Sequence, residues 1–160
     1  MSFYNCQLLY IWVEIEIMGK RAYKITPDIS FSLVNESDTI SLIEMVRQGI
    51  KFTLFQAYAL KSPFSLNEWS SFLHISERTM QRYQKEEKKF DPTQSEKILQ
   101  ITLLLQFGIH VFGDKQKFNS WIDSSNVALG GIKPKSLLDN TFGIELIKDE
   151  LTKIEHGILA

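Results

Sequence analysis

The stretch Ser65-Leu-Asn-Glu-Trp-Ser-Ser-Phe-Leu-His-Ile-Ser-Glu-Arg-Thr-Met-Gln-Arg-Tyr83 decides the fold. Ser65 and Glu68 have the spacing of a capping box, in which the serine oxygen accepts the third helical amide and the glutamate reaches back to the cap's own N–H. Phe64 and Trp69 occupy the two hydrophobic-staple positions around that box. Leu66, Trp69, Phe72 and Leu73 then fall on one inward face. Ser76 is a good N-cap for a following helix, and Ile75 with Met80 repeats the staple. Only Leu73 to Ser76 separate the two helices, which is the spacing of a helix-turn-helix.

In the second helix Met80 and Tyr83, three apart, pack inward, so Glu77, Arg78, Gln81 and Arg82 face outward. In such a motif the N-terminal residues of the second helix meet base edges in the major groove. Arginine can bond guanine O6 and N7 in a bidentate fork, and glutamine can do the same for adenine N6 and N7. Arg78, Gln81 and Arg82 are therefore candidate base readers, with Thr79, Lys85 and Lys88 assigned to phosphates. The competing reading is a surface helix with ordinary charges. Charge favours DNA only weakly. The chain as a whole is at −1, residues 1–37 hold 3 basic and 4 acidic groups, residues 38–90 hold 8 and 6, and residues 91–160 hold 7 and 9. The basic excess sits where the motif is read, with Arg78, Arg82, Lys85, Lys88 and Lys89 clustered.

Upstream, Ile40, Ile43 and Val46 share one face of a helix that Gly49 ends. Thr53-Leu-Phe-Gln56 has capping-box spacing and opens a second helix, which Pro63 must end. Residues 19–37 read as a poorly structured lead-in. Two readings stand for residues 1–17. Alternation of Val13, Ile15 and Ile17 with Glu14 and Glu16 fits a β-strand. Alternatively Met18-Gly-Lys-Arg is the true start and the residues before it are over-called. Residues 1–37 are thus an N-terminal extension.

Downstream, Asp91-Pro92 breaks the chain and Thr93-Gln-Ser-Glu96 caps a new helix. It runs from Lys97 to about Phe112 and is apolar on nearly every face, as expected of a helix buried centrally or at a dimer interface. Gly113-Asp114 stops it. Phe118, Trp121 and Ile122 mark a short helix, with Trp121 taken as core. A loop over 124–134 leads to a helical turn at Leu137-Leu138. The last helix starts near Thr141, carries Ile144, Ile147, Leu151 and Ile154 on one stripe, and ends at Gly157. The fold class is all-α: a helix-turn-helix domain over 38–90 followed by a helical module over 91–160.

The chemistry classes that this chain excludes are informative. Its 44% apolar, 12% aromatic and 23% charged residues are ordinary globular proportions, so a packed core is available. A single cysteine, Cys6, rules out an internal disulfide framework and fits a reducing, cytoplasmic setting. His74, His110 and His156 lie far apart, which argues against a structural zinc site. No window holds the roughly 18 uninterrupted apolar residues of a membrane helix. No phosphate loop, dinucleotide fingerprint or nucleophile elbow occurs. Glu155 and His156 are adjacent on a helix and do not face each other, so His156 reads as a cation on the helix dipole. No cofactor, metal or catalytic residue is expected, and the chain is not read as an enzyme.

One further stretch, Asn126-Val-Ala-Leu-Gly-Gly-Ile-Lys-Pro-Lys-Ser-Leu-Leu138, is a poor way to make a core and a plausible way to make a contact site. Its Gly130-Gly131 fits a tight turn, or an anion held by backbone amides. The run Ser76-Glu-Arg-Thr-Met-Gln-Arg82, then Ser95-Glu96, Phe112-Gly113, Trp121, Asn126, Leu129-Gly130-Gly131, Pro134, Leu137-Leu138, Gly143 and Ile154-Glu155-His156-Gly157 resembles the Xre/MbcA/ParS-like antitoxin family over roughly residues 38–160.

The resemblance implies an antitoxin of a type II toxin–antitoxin system. Its Xre-like N-terminal domain would bind the operator of its own operon. Its C-terminal domain would bind a RES-domain toxin that consumes NAD⁺ and block the toxin's active site. By position, the implied toxin contacts are Asn126, Leu129, Gly130, Gly131, Pro134, Leu137 and the tail with Glu155, His156, Gly157, Ile158 and Ala160, whose terminal carboxylate could approach a basic nucleotide pocket. The family implies no enzyme activity for the antitoxin. The recognition region departs from expectation in being only mildly basic. A homodimer or larger assembly is expected, since operator reading usually needs two half-sites. The alternative is a stand-alone dimeric helix-turn-helix regulator with another protein partner.

Overall fold

The computed structural model describes residues 36–157. The N-terminal extension, including the strand expected at residues 13–17 and the alternative start at Met18, lies outside the described residues except where the first helix begins. Ile158 and Ala160 of the tail lie outside them as well. The elements are α1 (Glu36–Gln48), α2 (Phe52–Lys61), α3 (Leu66–Phe72), α4 (Glu77–Glu86), α5 (Pro92–Phe112), α6 (Lys115–Asp123) and α7 (Thr141–Glu155), with 3-10 turns at Val127–Leu129 and Pro134–Leu137. The fold is all-α. Among the described residues the only ladder pairings are two isolated antiparallel bridges, Lys51 with Lys89 and Asn126 with Ile132.

The helix-turn-helix, α3 and α4, is built from the local signals of its sequence. The Ser65 box is complete: Glu68 N donates to Ser65 Oγ at 3.2 Å, and Ser65 N donates to Glu68 Oε2 at 2.8 Å. The staple closes with Phe64 edge-on to Trp69 at 6.2 Å. Ser76 caps α4 by accepting from Thr79 N at 3.1 Å. Between the helices His74 takes a left-handed φ of +53°. Beneath the pair lies an aromatic core. Trp69 is T-shaped against Phe55 at 5.3 Å, and Phe55 against Phe90 at 5.0 Å. The buried Trp69 satisfies its one polar atom by donating Nε1–H to Ser62 Oγ at 3.1 Å. Each such ring, fully buried, contributes about 2–3 kcal/mol of transfer free energy.

Three local expectations are corrected. Leu66 is 41% exposed, not inward. It opens the first turn of α3, and Phe64, packed on Trp69 and Phe72, fills that end of the core instead. Thr53 does not cap α2, because Phe52 is already helical and its N-cap, Lys51, makes no side-chain cap bond. Phe52 is buried, and its amide donates to Lys88 O at 2.9 Å, so distant backbone supplies what a cap would have supplied. Finally, α5 starts at Pro92, five residues before Lys97, and its box is Asp91 with Gln94: Gln94 N donates to Asp91 Oδ1 at 2.8 Å. Two overlapping boxes compete here. Pro92 selects the first, because proline at the first helical position loses no hydrogen bond and arrives with helical φ. Ser95 of the rejected box is fully buried, where its Oγ accepts from Ile50 N at 2.9 Å.

The 21-residue α5 organises the rest. It buries Ile98, Leu99, Ile101, Leu104, Leu105 and Phe107, as its all-round apolarity predicts, and packs against α1, α6 and α7. It ends at Phe112, with Gly113 in the left-handed conformation that closes a helix. On α1, Val46 is half-buried, while Ile40 and Ile43 of the same face remain exposed. On α6, Phe118 and Ile122 are core, and the half-buried Trp121 stacks on Phe118 at 6.1 Å. The α7 stripe Ile144, Ile147 and Leu151 is buried, with Ile154 half-buried below it.

Candidate nucleic-acid and partner-binding faces

Arg78, Gln81, Arg82 and Lys85 form one stripe along α4, all exposed. The stripe is held outward by the opposite face. Met80 is buried there, and the Tyr83 ring lies 5.2 Å from Phe90. Two expected phosphate ligands have other partners. The Thr79 hydroxyl lies 2.9 Å from Ser76 Oγ, within the cap. Lys88 Nζ stands 2.7 Å from Glu86 Oε2, an exposed pair that holds the Glu86 carboxyl below its usual range. Lys51 was not legible as a site residue. Its bridge to Lys89 sets two exposed lysines side by side next to the end of α4, through a pairing no local pattern announces.

The loop after α6 is closed at a narrow neck. Asn126 N donates to Ile132 O at 3.1 Å, Gly131 N donates to Asn126 O at 2.8 Å, and Asn126 Oδ1 accepts from Ala128 N at 2.8 Å. Gly130 and Gly131 have φ of +71° and +78°, and a Cβ on either would meet open space. The glycines are thus needed for a reversal that L side chains resist, not for room. Of the expected contact residues, Gly130 and Gly131 are exposed and Asn126 is half-exposed. Leu129 and Pro134 are buried and Leu137 is half-buried, so these three fix the loop from within. What the loop presents instead is Val127, 92% exposed, and Ile132.

An ion cluster ties this loop to the helix-turn-helix. Lys135 Nζ donates to Asp123 Oδ1 at 2.7 Å and to Glu68 Oε1 at 3.2 Å, while Lys133 Nζ reaches Asp123 at 3.4 Å. The hydrogen bond from Lys135 holds the Asp123 carboxyl below the ordinary aspartate range. The Ser65 amide does most to lower Glu68, with Lys135 adding to it. The Lys135 ammonium is raised by its bonds to Asp123 and then Glu68. A second link runs from the turn of the motif: His74 Nε2 lies 2.8 Å from Asp139 O.

The start of α7 is clamped to the loop's second 3-10 turn. Asn140 caps it, accepting from Gly143 N at 2.8 Å, and a Cβ on Gly143 would lie 2.0 Å from Leu137 O. At the far end Glu155 Oε1 lies 3.7 Å from His110 Nε2 of α5. His156 and Gly157 are exposed, and Gly157 has φ of +67°. No hydrogen bond or ion pair joins the loop to residues 155–157 among the described residues. No group of three or more metal-ligating side chains occurs among the described residues. No described helix is long and apolar enough to cross a membrane.

Comparison with known proteins matches both halves of this geometry. The family model for the antitoxin Xre-like helix-turn-helix domain matches residues 41–102. The model for the antitoxin Xre/MbcA/ParS C-terminal toxin-binding domain matches residues 108–157. The first match ends and the second begins within α5, which runs unbroken between them. The chain is similar to a protein named Antitoxin Xre from Yersinia enterocolitica, 24% identical over 120 residues, covering 74% of this chain and 81% of that one. It is also similar to an Antitoxin Xre from Photorhabdus laumondii, 25% identical over 117 residues, covering 72% and 79%.

Proposed function

The chain belongs to the Xre/MbcA/ParS-like antitoxin family, with a helix-turn-helix domain and a toxin-binding domain, and from that premise we propose that it neutralises a cognate RES-domain toxin by occluding the NAD⁺ pocket and represses its own operon. The observation that carries the reading is the ordered pair of domains, 41–102 and 108–157, on a chain whose outward surfaces are an arginine stripe and a glycine-turned loop. The partition into a helix-turn-helix unit over 38–90 and a toxin-binding unit over 91–160 is part of the same proposal.

In the toxin arm, the loop 126–134 and the tail 154–160 contact the toxin. The neck bonds of Asn126 and the buried Leu129 and Pro134 support this role, because a pre-shaped loop loses little entropy on binding. In the DNA arm, Arg78, Gln81 and Arg82 read bases, and Thr79, Lys85 and Lys88 face the backbone. The protein acts as a homodimer or larger assembly to present two such helices to two half-sites. It binds and does not catalyse, and it works in the cytoplasm. Co-expression with the product of the adjacent gene tests the scheme. Growth rescue, restored cellular NAD⁺ and co-purification are expected. A chain that neither rescues growth nor co-purifies would leave a stand-alone regulator as the function. Sedimentation at micromolar concentration that returns a clean 18.5 kDa species would remove the dimer.

A further inference from the structure

Four of the eight large apolar side chains exposed among the described residues lie within one twenty-residue span of the toxin-binding domain. They are Val127, Ile132, Phe142 and Leu146. Val127 and Phe142 are the two most exposed of the eight, at 92% and 84%. Single exposed apolar residues are ordinary on a soluble surface, and a grouped set is not. Here they form two pairs, one on the loop and one on the neighbouring α7. Ile132 is one side of the bridged neck and Val127 adjoins Asn126 on the other, and the 3-10 turn that carries Val127 packs against α7. Phe142 and Leu146 stand one helical turn apart on α7 and share a face. The backbone beneath is rigidly held by the Asn140 cap and by the contact of Gly143 with Leu137 O. Exposed Glu145 and Asp149 follow Phe142 and Leu146 by three residues each, which sets two carboxylates beside the apolar pair.

We infer that Val127, Ile132, Phe142 and Leu146 are the apolar anchors of the toxin contact and that Glu145 and Asp149 form its acidic rim. The inference rests on the toxin-neutralising reading and replaces Leu129 and Pro134 as the touching side chains, since those two are buried within the chain itself. The partner surface it calls for is an apolar socket with basic groups at its edge. That chemistry suits a protein whose pocket receives an anionic dinucleotide. An aromatic anchor inside a carboxylate rim also follows the usual division between an apolar interface centre and a polar edge.

The experiment measures binding of the full-length chain to a catalytically inactive form of the adjacent gene's RES-domain product. The Val127→Ser, Phe142→Ser double variant is expected to bind roughly 30-fold more weakly or worse, the effect of removing a hot-spot aromatic. Its helical signal, melting temperature and operator affinity should stay unchanged, because both side chains point to solvent. Leu60→Ser, at a residue 78% exposed outside the toxin-binding domain, should bind like the unmodified chain. Glu145→Gln with Asp149→Asn should slow association and reduce its salt dependence. Equal toxin affinity in the double serine variant overturns this inference alone. So does a loss of self-association with toxin affinity intact, which would assign the patch to a second copy. Failure of the unmodified chain to bind the toxin overturns the functional reading, and this inference with it.

Discussion

Lys135 of the toxin-binding domain donates to Glu68 of the helix-turn-helix across 3.2 Å, and the same ammonium holds Asp123 at 2.7 Å. One lysine therefore joins the loop, the end of α6 and the first turn of α3.

Lys135→Met removes that junction and keeps most of the stem's packing. A lower melting temperature is expected, by roughly 1–3 °C, as for a partly exposed ion pair in a chain of this size. The pH dependence follows from the shifts. Glu68 and Asp123 are lowered in the folded state, so their contribution is present above the unfolded carboxylate pKa and is lost as pH falls through the folded values. Lys135 is raised, so its contribution is present below its unfolded pKa and fades as pH rises through the folded one. The gap between unmodified protein and variant should thus be widest near neutral pH and shrink toward acid and toward strong alkali. A gap that stayed constant in melts from pH 7 down to 3 would show that the pair does not stabilise the fold.

Gly143→Ala should destabilise the fold by about 1–3 kcal/mol in urea titrations, the usual range for forced overpacking. Alanine is the better helix former by about 1 kcal/mol, which works the other way. The clash wins because the added carbon would lie 2.0 Å from Leu137 O, a backbone atom that cannot rotate aside. Toxin binding should fall too, since the loop's second turn must shift. A variant as stable as the parent would mean that α7 is not seated on that turn.

The caps give a paired test of the helix starts. Asp91→Ala should cost about 1 kcal/mol, and Ser76→Ala a similar amount, because each side chain accepts a helical amide. Thr53→Ala should be within about 0.5 kcal/mol of the parent, as an exposed residue that caps nothing. Denaturant midpoints would reverse the assignment if Thr53→Ala proved the costly change.

Arg78→Ala or Arg82→Ala should each weaken operator binding by about 1–3 kcal/mol and relax sequence preference locally. Lys88→Ala should weaken all sequences alike and flatten the salt slope. Titration of labelled operator at several salt concentrations separates the two behaviours. Unchanged affinity in the Arg78→Ala, Arg82→Ala double variant would remove α4 from the DNA interface.

Deletion from Gly157 to Ala160 should abolish or sharply weaken toxin neutralisation. It begins after the α7 cap at His156, so helical content and operator binding should be nearly intact. Full growth rescue by the truncated chain at equal dose would show that the tail is not the plug, and Gly131→Val would then test the loop alone.

The sequence by itself determined the features that are settled within one helical turn. The Ser65 box, the Phe64–Trp69 staple, the Ser76 cap and the Gly113 stop depend on atoms at most five residues apart, so their spacing gives them away. The outward arginine stripe follows in the same way from Met80 and Tyr83 facing in. Tertiary structure decided whatever needed a partner far along the chain. Phe52 entered α2 with its amide bonded to Lys88 O, and Ser95 is buried with its Oγ accepting from Ile50 N. In the loop, the glycine turn was legible and the burial of its apolar residues was not. Leu129 turned inward and Val127 outward, a choice made by packing against α7 that no periodicity inside a 3-10 turn can express. The Lys135 junction and the contact of His74 with Asp139 O likewise join residues 65 or more positions apart. Local hydrogen bonds are written in spacing, whereas long-range ones exist only once α5 has brought the two halves together.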